Sequence, residues 1–191
     1  MAETALQPND ELVYDTHTAK FRKLIQQLTH LHDISSDHSE YKAPRDLAVD
    51  METSITDFGW TAVLYYVVTK CRVSTIRDEA IKLLESRSHR EGMWDSRVIA
   101  CVARKIVDME EAGLYRNIDG SRRFLHPEFL RPPHQELPSL PDSRRLREVE
   151  VVLSGAPMDK IMLFGKRQHD DIQERVLLSQ YHIKAGCWKD S

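Results

Sequence analysis

A helical period that survives, with one break, from Ser74 to Glu111 constrains this chain more than any other feature. Ile76, Ala80, Ile81, Leu83 and Leu84 recur at three- and four-residue steps, and so do Val98, Ile99, Val102, Ile106 and Met109. Apolar side chains at that spacing line one face of an α-helix. Two such segments joined by a short link predict a helical hairpin. Ser74 is placed to cap the first helix and Asp95 or Ser96 the second, while Gly113 stands where a C-terminal glycine belongs. Arg77, Asp78, Glu79, Lys82, Glu85 and Arg87 fall on the solvated side, and Ser88 to Gly92 form the connector.

The rest of the chain is read against that hairpin. Leu12, Phe21, Leu24, Ile25, Leu28 and Leu31 predict a helix from about Asn9 to His32, beginning nearer Asp15 if its irregular first turns are left out. Asp33 to Arg45, with Ser35, Ser36, Ser39 and Pro44, reads as a loop. The next block, Asp46 to Cys71, is apolar almost all round between Phe58 and Val68. Such a run fits a buried strand or a buried helix, and its length favours a central helix packed on several sides. Gly59 within it would cost about 1 kcal/mol against alanine. From Tyr115 to Arg147 the period disappears: five of the eight prolines lie there, with seven Arg against four acids. Alternating Val149, Val151 and Leu153, the turn-like Ser154 to Pro157, and the apolar run Lys160 to Lys166 predict a β-hairpin. A weak helix is expected around Asp171 to Ser179. The expected fold is therefore mainly α, a bundle or array of about four helices with a short C-terminal β-hairpin. The expected divisions are a helical domain over 1–114, a Pro/Arg-rich connector over 115–147, a hairpin over 148–167 that packs on the helices, and a weakly structured tail over 168–191.

Function classes narrow by what the residues supply. At 191 residues the chain suits one domain, and its 27 basic against 30 acidic residues give a net charge of -3. A surface that neutralises many phosphates is basic, so direct DNA binding is not expected. Arg122-Arg123 and Arg144-Arg145-x-Arg147 are the local exceptions, read as exposed loop charge. Cys71, Cys101 and Cys187 are too few and too scattered for a disulfide framework, which suggests a reducing compartment. Lys70 and Arg72 flank Cys71 and would lower its pKa were the sulfur exposed, but a cysteine closing a buried helix is the simpler reading. Met1 to Glu11 has no apolar core of a signal peptide, and the longest apolar run, Ala62 to Val68, is too short to cross a bilayer. His30-x-His32 with His38 does not match a zinc spacing. Asp108, Glu110 and Glu111 read as an ordinary acidic helix end, and His169-Asp170-Asp171 as a solvated segment. A nucleophile elbow and a phosphate-binding glycine loop are both missing from the sequence. No catalytic, cofactor-binding or metal-ligating residue is assigned, and the chain is read as non-enzymatic.

Four fragments resemble one family in order and spacing. Ala62 to Arg72 looks like the "PLYFVATKCR" phrase of fungal zinc-cluster transcription factors, and Ile76-Arg77-x-x-Ala80-Ile81-x-Leu83-Leu84 is similar to their "IRRxAIxLL". Arg90 to Ser96 resembles "RREGLWDS", and Val107 to Glu111 is similar to "ErVxxiEE". Phe21 to Leu24 also resembles the "FRRIL" that opens the preceding helix. The likeness covers about Tyr14 to Arg167 and implies the C-terminal part of the fungal-specific regulatory region, a mostly helical module of nuclear, often dimeric factors. In that family a six-cysteine cluster holding two zinc ions contacts DNA. Three cysteines and no C-x-x-C leave those residues without counterparts here. Gly59-Trp60-Thr61 also departs from the family's proline pair.

The resemblance implies a nuclear regulatory protein acting on a protein partner or a second copy, linked to control of a secondary-metabolite pathway. A small-molecule-sensing helical module is the alternative, discriminated by an apolar cavity near Tyr65, Tyr66 and Trp94. A truncated fragment is the third reading. Either way, an uncovered apolar face is expected on the first helix through Phe21, Leu24 and Leu28.

Overall fold

The computed structural model describes residues 11–37, 59–86, 90–91, 94–112, 114, 140–155, 159–167 and 175–191. A 3-10 segment, Glu11–His17, leads into α1 (Thr18–Asp37), followed by α2 (Trp60–Lys70) and α3 (Ser74–Ser86). The two-residue strands β1 (Arg90–Glu91) and β2 (Trp94–Asp95) pair antiparallel before α4 (Ser96–Glu111). A short 3-10 turn, Asp142–Arg144, then enters β3 (Leu146–Ser154), β4 (Lys160–Arg167), β5 (Val176–His182) and β6 (Cys187–Asp190).

The last four strands form one antiparallel sheet in chain order. This corrects the expected mainly α fold, since the hairpin over 148–167 is only half of a four-stranded sheet. Over the described part of that stretch, 175–191, β5 and β6 also stand where a weak helix around Asp171 to Ser179 and a weakly structured tail were expected; 168–174 lie outside the described residues. The physical reason lies in the register. Leu163 pairs with Ser179 and Phe164 with Leu177, so Leu178 is an extra residue that breaks the two-residue alternation. Ser179 is buried in the strand, a polar residue where the pattern calls for an apolar one. The β5–β6 turn is built by Gly186 at φ +61, whose N–H reaches the carbonyl of His182 at 2.9 Å.

α4, not α2, is the central helix. Its Ile99, Ala100, Ala103 and Val107 join a first core with Phe21, Ile25, Leu64, Val67, Val68, Ile81 and Leu84. Its Val102 and Ile106 join a second core with Leu146, Ile161 and Leu163, and Val98, Met109, Val149, Val151 and Leu153 pack against it. The block expected to be buried on several sides leaves Ala62 and Val63 exposed. Gly59 is the N-cap of α2 rather than an interior residue, a position where glycine is tolerated. Asp95 caps α4 by accepting from the N–H groups of Arg97 and Val98. In α3, by contrast, the N–H groups of Ile76 and Arg77 donate to the carbonyl of Val73, and Ser74 already lies inside the helix.

α1 runs on through Asp37, across residues read as loop. Serine and aspartate are only mildly poor helix formers, so a helix continues over them where no face needs burying. Phe21 and Leu28 are buried, which corrects the uncovered face expected there; the large apolar residues of α1 that are exposed are Leu31 and Ile34 at its far end. No helix among the described residues is long and apolar enough to cross a membrane.

Candidate functional site

Charged side chains converge where the end of α2, the start of α3, the end of α4 and the entry to β3 meet. Arg72 lies in the extended link between α2 and α3, and Arg77 one turn into α3. Both point at the last turn of α4. Arg77 Nη2 donates to Glu110 Oε2 at 2.5 Å, and Arg77 Nη1 to Glu111 Oε1 at 3.4 Å. Arg72 Nη2 lies 3.2 Å from Glu110 Oε1 and donates to Glu11 Oε2 at 3.1 Å, while its other arm reaches the carbonyl of Thr69. Lys70 completes the Glu11 carboxylate at 2.6 Å and sits 4.8 Å over the Tyr14 ring.

Arg145 extends the cluster towards the sheet. Its guanidinium donates to both carboxylate oxygens of Asp15, at 3.0 and 2.6 Å, and to the carbonyls of Glu11 and Leu140. The next residue, Leu146, donates its N–H to Glu110 Oε1 at 2.8 Å. Four cations (Lys70, Arg72, Arg77, Arg145) thus meet four carboxylates (Glu11, Asp15, Glu110, Glu111). Arg77 and Glu110 are fully buried. Burial pulls the pKa of Arg72 below the ordinary arginine value, against the opposing pull of Glu110 and Glu11. Charges buried this deeply persist only when paired, and here each pairs within the cluster.

Several sequence readings change here. Arg77 is not solvated, and Glu110 and Glu111 are not surface charge: all three are buried. Arg144, Arg145 and Arg147 are not the exposed loop charge expected there. Arg144 donates to the carbonyl of Ala112, Arg145 is internal, and Arg147 pairs with Asp142 at 3.2 Å. Arg122 and Arg123, with the rest of 115–139, lie outside the described residues, as do His38, 46–58 and His169 to Asp171. Lys70 and Arg72 turn towards carboxylates, and burial pushes the Cys71 thiol up. His30 is exposed, and His32 lies 3.4 Å from Asp33. Among the described residues, no three His, Cys, Asp or Glu side chains are grouped to hold a metal ion.

Beside the cluster, a groove of about 190 Å³ separates α2 from β3, lined by Tyr65, Thr69, Lys70, Leu146, Glu148 and Val149. β3 is irregular along it. The register with β4 shifts between Arg147 and Glu150, and Glu148 takes a left-handed φ of 48° within that bulge. The groove's polar groups already have partners. Thr69 Oγ1 donates to the carbonyl of Tyr65 at 3.0 Å, Lys70 pairs with Glu11, and Glu148 pairs with Lys166 at 3.0 Å. Burial raises the Tyr65 phenol to about 12. Ligand pockets usually span about 300–1,000 Å³, so this groove suits a side chain or a very small molecule. Tyr66 is not part of it; it packs on Tyr14 and Phe21, with ring centroids 6.3 and 6.2 Å apart.

Sequence reasoning missed this cluster because Arg77 beside Asp78 and Glu79, and Glu110 beside Glu111, read as solvated charge. One signal was available: Arg72, Arg77, Glu110 and Glu111 each fall inside fragments singled out for resemblance. No protein-family model, curated protein or solved structure matches the chain.

Proposed function

We propose that this chain is a non-enzymatic regulatory protein of the kind found in the C-terminal part of the fungal-specific regulatory region, acting in the nucleus through protein contacts rather than direct DNA binding. One observation carries the reading. The charged residues of three resembling fragments, Arg72 of the first, Arg77 of the second, and Glu110 and Glu111 of the fourth, meet in one buried cluster. Fragments that resemble the family separately along the sequence thus lie together in the fold, and that adjacency supports the reading. The cluster is balanced and internal, as suits a scaffold that holds helices and sheet in register for a partner.

Sedimentation equilibrium of the purified chain tests this, alone and mixed with the regulatory region of a full-length six-cysteine zinc-cluster factor. A self-associated species or a mixed complex at micromolar concentration supports the reading. A chain that stays monomeric in both experiments overturns it. The small-molecule-sensing alternative draws its support from the groove between α2 and β3, which at about 190 Å³ is small for a ligand pocket.

A further inference from the structure

We draw no further inference here: the strongest candidate, the row of half-buried apolar side chains Val152, Met162, Phe164 and Leu177 on the sheet face turned away from α4, carries nothing because nothing in the structure shows what covers it.

Discussion

Glu110 takes Arg77 on one carboxylate oxygen, and Arg72 with the backbone N–H of Leu146 on the other. Removing one partner from such a buried group leaves the remaining charges uncompensated, at a cost of about 3–5 kcal/mol. Glu110→Gln is therefore expected to lower stability by about 3 kcal/mol in urea denaturation. Glu85→Gln breaks the exposed pair with Arg104 and should cost less than about 1 kcal/mol. Equal shifts for the two variants would contradict the internal role of Glu110. The thiols give a second expectation at this scale. Cys187 is exposed, Cys101 half-buried and Cys71 buried, and burial raises the thiols of Cys101 and Cys71. Iodoacetamide at neutral pH should label Cys187 first, Cys101 more slowly and Cys71 only on unfolding, as read by peptide mass spectrometry. Early labelling of Cys71 would mean that the α2–α3 link opens in the native state. At this scale the sequence was least legible. Arg77 sits on α3 next to Asp78 and Glu79 in a run of charges, and its burial depends on carboxylates 33 and 34 residues away.

Among the elements, β6 is the sheet's edge strand, paired with β5 and tied to α4 by side chains. Asp190 pairs with Lys105 of α4 at 2.5 Å and accepts from Ser179 at 2.8 Å, while the Trp188 ring lies under Lys105 and against Tyr181. The hydrogen bonds from Lys105 and Ser179 hold the Asp190 carboxyl below its ordinary range. A carboxyl depressed in the folded state contributes fully above about pH 4 and loses that contribution as pH falls through its folded value. Amide exchange in β6 should therefore accelerate below about pH 4 relative to β4, after correction for intrinsic rates, and Asp190→Asn should abolish the difference. Unchanged relative protection across that range would remove Asp190 from the account. The helices were legible in outline, because Ile76, Ile81 and Leu84 or Ile99, Val102 and Ile106 repeat at helical spacing. β5 was not, because the extra Leu178 and the inward Ser179 spoil the alternation that identifies a strand. The burial of α4 on two sides was hidden for a related reason. Ala100 and Ala103 build its second face with small residues that weigh little in a hydrophobic pattern.

For the molecule as a whole, the decisive fact is that α4 belongs to both cores. Trp60 packs against the first and Trp188 against the second, so each core carries its own fluorophore. Variants that retain only Trp60 or only Trp188 are expected to report coincident urea transitions, because neither core keeps its packing once α4 is lost. Separated midpoints would divide the chain into two independent folding units. Sequence spacing shows the two amphipathic stretches but not that one helix serves two layers, which is a property of tertiary assembly. The Arg145 contacts add a consequence for biosynthesis. Arg145 follows Asp15 by 130 residues and Glu11 by 134. At about 5–20 residues per second, the first segment is translated roughly 7–26 s before the guanidinium that clasps it. A ribosome that stops anywhere in that interval leaves a product whose Asp15 lacks this arginine, and one that stops after residue 110 also leaves Glu110 without the Leu146 N–H. The cell's quality control would thus meet every such shortened product with the clasp still open.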